Sequence, residues 1–168
     1  AQPGVALFFG KLLCKVIAAF KGDDYRSAFV DNMAFGGYNK RFEPARTDKD
    51  WLTRDEKEVD AYLANPWGTF RFTVNAYYHM FCGIEYAQKK ENIEKIPKDL
   101  PLYLVAGSDD PVGNFGKGVE NVAKTYRECG IKDVSLKLYE KDRHEILNEL
   151  DRQTVYEDIL AWVEAHLI

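Results

Sequence analysis

The strongest constraint on the fold of this chain is the nearly continuous apolar run from Leu100 to Ala106. Such a run is typical of a strand that is covered on both faces, as in a parallel sheet. The pattern then predicts a helix over 118–129, an alternating strand over 134–139 and a final helix near the C-terminus. This β-α-β-α order predicts an α/β fold with two parallel neighbouring strands and helices packed on the sheet.

Two parallel strands do not form a stable sheet by themselves, because the inner strand needs neighbours on both sides. The sequence therefore predicts that further strands come from an upstream segment of a longer protein or from another chain. We expect an association of one of these kinds, with the missing N-terminal half or as a homo-oligomer.

The first part of the chain is predicted to be helical. Apolar residues from Val5 to Phe20 recur at helical spacing, and Gly22 is a stop signal. This run is too short and too charged for a membrane span, and its apolar face either packs on the protein or touches lipid. An irregular segment over 23–50 is followed by a helix over 69–86. The patterns Thr53-x-x-Glu56 and Thr154-x-x-Glu157 predict capping boxes at two helix starts.

The composition limits the classes of function. A chain of 168 residues that is 46% hydrophobic can bury the core of one globular domain. A net charge of −4 with mixed signs argues against a nucleic-acid partner. The 3 cysteines lack the spacing of a zinc set and suggest buried thiols in a reducing, cytoplasmic compartment. The glycines over 113–118 do not fit a phosphate-binding loop, and we predict no metal and no cofactor.

Polar residues follow each predicted strand. Asp109 and Asp110 come directly after the first strand, and His144 lies in the loop after the second. Parallel strands place these loops at the same edge of the sheet. A carboxylate there can hold one imidazole nitrogen and leave the other free to take a proton from a nucleophile. An ordinary turn at Asp109-Asp110-Pro111 and a solvated loop around His144 remain the alternatives.

The motifs Leu102-Tyr-Leu-Val-Ala-Gly-Ser-Asp-Asp-Pro-Val112 and Leu136-Lys-Leu-Tyr-Glu-Lys-Asp-Arg-His-Glu-Ile-Leu147 resemble the C-terminal part of the α/β-hydrolase family. They are most similar to monoacylglycerol lipases and lysophospholipases. That family has the chain order nucleophile, acid, histidine. The resemblance implies that Asp110 is the acid and His144 the base of a triad, and that Asp109 is a neighbour.

The resemblance extends to Ala34–Phe42 and Asp50–Asp55, which are similar to the cap segment of such hydrolases. It implies a partial α/β-hydrolase fold, with a helical cap region over 1–92 and the C-terminal part of the hydrolase core over 93–168. An apolar cap lined by Phe8, Phe9, Phe35 and Trp51 would suit the acyl chain of a substrate. Ordinary packing of cap helices explains these aromatic residues equally well.

The chain departs from the family pattern at the nucleophile. Ser27, Ser108 and Ser135 are its serines, and none lies in a G-x-S-x-G turn. We therefore expect a C-terminal fragment of a serine ester hydrolase that acts on a small-molecule or lipid ester, with its serine upstream of residue 1. The chain alone is expected to be inactive. The alternative is a non-catalytic α/β module that acts through association.

Overall fold

The computed structural model describes residues 3–167, which contain seven α-helices, two 3₁₀ helices and two strands. In chain order these are α1 (Gly4–Lys21), α2 (Ala28–Phe35), a 3₁₀ helix (Tyr38–Phe42), α3 (Glu56–Ala64), α4 (Val74–Gln88), α5 (Lys90–Ile93), β1 (Leu102–Gly107), α6 (Lys117–Glu128), β2 (Val134–Tyr139), a second 3₁₀ helix (Ile146–Asn148) and α7 (Arg152–His166). None of the described helices is both long enough and apolar enough to span a membrane.

The chain divides into two compact units. The first comprises Ala1–Gly37 and Thr69–Lys95, and the second comprises Tyr38–Gly68 and Ile96–Ile168. This division differs from a single boundary between residues 92 and 93, because 38–68 belong to the unit that holds both strands. The assignment of 1–92 to a cap stays a prediction.

The first unit is built on the packing of α1 against α4. The predicted helix over 5–20 is confirmed, and it ends at Gly22, whose φ of +88° favours glycine. Gly10 allows the two helices to approach closely, since a Cβ there would lie 2.9 Å from the ring of Phe81. The buried residues of this core are Leu7, Cys14, Val30, Val74, Tyr77 and Phe81.

The second unit confirms the predicted parallel strand pair. β1 and β2 are in register from Leu102 opposite Val134 to Gly107 opposite Tyr139. Within residues 3–167 the sheet consists of these two strands. Apolar side chains pack around them in two clusters, whose buried members are Ala123, Ile131 and Val134 in one and Tyr139, Ile146 and Val155 in the other. The pairing brings the loops after both strands to the same edge.

The capping box predicted at Thr53 is wrong. Helix α3 is capped by Asp55, whose carboxylate accepts a hydrogen bond from the N–H of Lys57 at 3.0 Å. The hydroxyl of Thr53 instead donates to the carbonyl oxygen of Asn148 at 2.9 Å. Asp55 therefore caps α3 in place of Thr53, whose hydroxyl bonds to a residue that is distant in the sequence.

The capping box predicted at Thr154 is also wrong. Helix α7 begins at Arg152, so Thr154 lies inside its first turn. The preceding residue, Asp151, makes no side-chain cap, and its carboxylate pairs with Arg54 instead. An ion pair with a distant residue thus takes the place of the cap.

Gly107 ends β1 at a point of close backbone approach. A Cβ at this position would lie 2.1 Å from the carbonyl oxygen of Asp142 and 2.3 Å from that of Arg143. Both atoms belong to the backbone of the loop after β2, so neither can move aside without displacing that loop. Glycine is required here for packing rather than for a positive φ.

We expect Gly107→Ala to lower the free energy of unfolding by about 2–4 kcal/mol, because the added methyl group overlaps backbone atoms. Urea denaturation measures this loss. Gly83→Ala is the matched control, since a Cβ at Gly83 meets nothing within 4 Å and alanine favours a helix interior by about 1 kcal/mol. Equal stabilities of the two variants would contradict the close approach.

Candidate active site

Two loops meet at the carboxyl ends of the strands. We call residues 108–113, after β1, the acid loop and residues 140–145, after β2, the histidine loop. Backbone hydrogen bonds join them, from the N–H of Ser108 to the oxygen of Tyr139 at 2.8 Å and from the N–H of Asp109 to the oxygen of Asp142 at 2.9 Å. Together with the contact at Gly107, these bonds fix one loop against the other.

Asp110 and His144 are adjacent at this edge. The Oδ1 atom of Asp110 lies 3.1 Å from Nδ1 of His144 and also accepts a hydrogen bond from the N–H of Val112 at 2.8 Å. Asp110 is 6% exposed, whereas the side chain of His144 is 38% exposed. A carboxylate at Nδ1 favours the tautomer with its hydrogen on that nitrogen. Nε2 then carries the lone pair that can accept a proton.

Trp51 packs against the imidazole of His144. The two ring centroids are 5.2 Å apart, and Tyr38 in turn contacts Trp51 at 5.0 Å. The N–H of His144 donates to the carbonyl oxygen of Trp51 at 3.4 Å. Burial raises the pKa of Tyr38, and the charge of Asp110 adds to this effect. The imidazole therefore packs against the ring of Trp51, which in turn packs against the ring of Tyr38.

The other predicted substrate-binding residues lie in the first unit. Phe8 and Phe9 are 58% and 61% exposed on α1 and contact each other edge to face. Phe8 also lines an open hollow of about 260 Å³. Phe35 is partly buried, packs on the core of that unit and contacts the ring of Tyr77. The substrate roles of these three residues stay predictions.

The serines of the chain have structural surroundings. Ser27 is buried and caps α2 by accepting a hydrogen bond from the N–H of Val30. Ser108 accepts a hydrogen bond from the N–H of Lys141 at 2.8 Å, and Ser135 lies within β2. These surroundings are those of a cap, a loop contact and a strand.

A buried charged group next to the histidine loop is missing from the sequence-based prediction. Arg54 forms ion pairs with Asp142, Glu149 and Asp151, and the first two of these acids are fully buried. The signal available in the sequence was the run of charges on both sides of His144. Helical or strand periodicity gives no indication that Arg54 joins it.

The three carboxylates have oxygen atoms within 4.8 Å of one another, a spacing that could hold a metal ion. The guanidinium of Arg54 contacts all three, so it already supplies positive charge among them. Burial, followed by the charges of Asp151 and Glu149, raises the pKa of Asp142 to about 7. Its Oδ2 atom is buried, with no hydrogen-bond partner among the described residues.

Comparisons with known proteins identify the family. Residues 6–151 match the sequence profile of the family described as serine aminopeptidase, S33. No curated protein sequence matches the chain significantly.

Solved structures give a consistent result. A highly thermostable carboxyl esterase from Bacillus coagulans in complex with glycerol shares 26% identity and a TM-score of 0.87 over 96% of this chain and 53% of its own. A lipase in an open form shares 26% identity and a TM-score of 0.74 over 89% of this chain and 48% of its own. A monoglyceride lipase variant from Saccharomyces cerevisiae, at 19% identity, has a TM-score of 0.58 over 94% of this chain and 49% of its own, and supports the fold alone. This chain spans about half the length of these structures.

The raised pKa of Asp142 predicts a pH-dependent stability. Between its ordinary value of 3.8 and about 7, the folded state keeps a proton that the unfolded state has released. The group therefore lowers stability as the pH rises through this window. An asparagine side chain cannot ionise, so the Asp142→Asn variant lacks this pH dependence. Between about pH 5 and pH 8, its free energy of unfolding should therefore rise by about 1–3 kcal/mol relative to that of the original protein. Urea denaturation at both pH values measures this gain, and a pH-independent difference would contradict it.

Proposed function

Since the chain belongs to the α/β-hydrolase family described as serine aminopeptidase, S33, we propose that it supplies the acid and the base of a Ser-Asp-His triad in a serine ester hydrolase. The observation that carries the proposal is the 3.1 Å contact between Asp110 and His144 at the carboxyl ends of two parallel strands. Open α/β sheets bind their ligands at this edge.

The nucleophile in this proposal is a serine in a G-x-S-x-G turn that precedes this chain in a longer protein. Its oxygen attacks the carbonyl carbon of the ester, and its proton passes to Nε2 of His144. Asp110 stabilises the imidazolium, which then protonates the departing alcohol. Water, deprotonated by His144, attacks the acyl-enzyme and releases the acid. Each cycle leaves the serine and the imidazole as they began.

The substrate class in this proposal is a carboxylic ester of monoacylglycerol or lysophospholipid type. The similarity to a carboxyl esterase and a lipase supports ester chemistry. In this proposal the exposed Phe8 and Phe9 contact an acyl chain, and the largely buried ring of Trp51 lies beside His144. The free thiols of Cys14, Cys82 and Cys129 agree with a reducing, cytoplasmic location.

A non-catalytic module that acts through association is the second candidate. The observation in its favour is that β1 and β2 form a sheet of two strands within residues 3–167, which leaves strand edges available for pairing. Labelling with a fluorophosphonate probe, followed by intact mass measurement, separates the two functions. One stoichiometric adduct on the full-length gene product supports the hydrolase, and no adduct supports the module.

Substitution of the proposed triad residues in the full-length gene product tests their roles. We expect His144→Ala to lower the kcat for ester hydrolysis by about a thousandfold or more, and Asp110→Asn by about two to four orders of magnitude. Asp109→Asn is the matched control and should change kcat by less than about fivefold. Near-normal turnover by the His144 or Asp110 variant, with the fold intact by circular dichroism, would remove that residue from the triad.

Acyl-chain length tests the proposed apolar surface. The double substitution Phe8→Ala and Phe9→Ala should lower kcat/KM for a long-chain ester by about tenfold, because apolar contact with the chain is lost. A short-chain ester should be hydrolysed as before. Phe20→Ala is the control, since Phe20 lies on the same helix and is 84% exposed. A loss that is equal for both esters, or equal in the control, would exclude these residues from substrate binding.

A further inference from the structure

Three successive backbone amides of the histidine loop are held by hydrogen bonds. The N–H of His144 donates to the oxygen of Trp51, and the N–H of Glu145 donates to the oxygen of Leu52 at 2.7 Å. The N–H of Arg143 donates at 2.8 Å to a side chain, the Oε1 atom of Glu149. Of these three acceptors, the carboxylate is the one that a substitution can remove.

Glu149 is fully buried and surrounded by donors. Its Oε1 atom also accepts from the N–H of Arg54 at 3.1 Å. Its Oε2 atom accepts from Nε of Arg54 at 2.9 Å and from the N–H of Leu150 at 3.2 Å. A buried carboxylate is tolerated only when it is paired and hydrogen-bonded, so its geometry is well defined. A glutamine side chain at this position could satisfy only some of these donors.

Arg54 extends the network to the other side of the loop. The same guanidinium that binds Glu149 also pairs with Asp142, which precedes Arg143. The guanidinium of Arg143 donates to the backbone oxygens of Asp50 and Thr53. The segment before α3 and the histidine loop are thereby joined by charged side chains as well as by backbone bonds.

We propose that Glu149 and Arg54 are positioning residues that fix the backbone next to His144 and so keep its imidazole on Asp110. The proposal rests on the proposed function, in which His144 is the general base. Neither residue needs to touch the substrate. Their effect follows from geometry, because a misplacement of about 1 Å of a catalytic group can cost about a hundredfold in rate.

Kinetics of the full-length gene product provide the first test. Glu149→Gln keeps the volume of the side chain but turns an amide NH₂ toward groups that donate. We expect kcat to fall by about 10- to 100-fold while KM stays within about twofold. Across the pH profile the plateau value of kcat should fall. An unchanged kcat would overturn the proposal.

Matched variants separate positioning from stability and from charge. Ile131→Ala, in the cluster around α6 and the start of β2, removes buried apolar contacts away from the histidine loop. Ile131→Ala should lower the melting temperature at least as much as Glu149→Gln does and leave kcat within about twofold.

Glu149→Asp keeps the negative charge but shortens the side chain, so its kcat should fall as much as that of Glu149→Gln. Arg54→Lys should be impaired too, and should add little to Glu149→Gln. Loss of kcat in the Ile131 variant, or full activity of Glu149→Asp, would overturn the proposal.

Two further observations distinguish this proposal from the proposed function. If His144→Ala retains normal turnover, the proposed function fails, whatever Glu149→Gln does. If His144→Ala is inactive and Glu149→Gln is fully active, only the positioning role fails.

Proton NMR adds a measurement that does not require turnover. The downfield resonance of the Nδ1 proton shared with Asp110 should persist in the Ile131 variant and broaden or vanish in Glu149→Gln, and equal spectra would overturn the positioning role.

Discussion

The parallel pairing of β1 with β2 is the interaction on which the candidate site depends. The register that sets Gly107 opposite Tyr139 brings the two strand ends level. Backbone hydrogen bonds can then join the acid loop to the histidine loop, and these bonds do not depend on the catalytic side chains. A shift of register would carry Asp110 away from His144, since each loop continues directly from its strand.

The site keeps its buried acids in separate environments. Asp110 is engaged by an imidazole and a backbone N–H, whereas Asp142 and Glu149 face the guanidinium of Arg54. This separation matters because carboxylates that share one partner compete for it and raise one another's pKa. A dedicated cation for the structural acids leaves the imidazole of His144 to Asp110.

The sequence predicts features that depend on the order of apolar and polar residues within a short segment. The apolar run before Gly107 and the alternation over 134–139 were enough for the parallel pair, and the polar residues after each strand pointed to Asp110 and His144. Patterns that involve distant partners were not predictable. Thr53 was assigned a local cap, but its hydroxyl bonds to Asn148, and Arg54 pairs with acids beyond the second strand. The spacing of charged residues in the sequence does not predict which of them form such long-range pairs.

The pairing of Arg54 with Glu149 spans 95 positions in the chain. Contacts of such long sequence separation form late in folding, because the closure entropy of the intervening loop must be overcome first. Synthesis adds about 5–20 residues per second, so Arg54 leaves the ribosome several seconds before its acidic partner. During that interval the histidine loop cannot be complete. Both strands and the histidine loop lie between these two residues in the chain, so the network around Glu149 can form only after all of them have been synthesised.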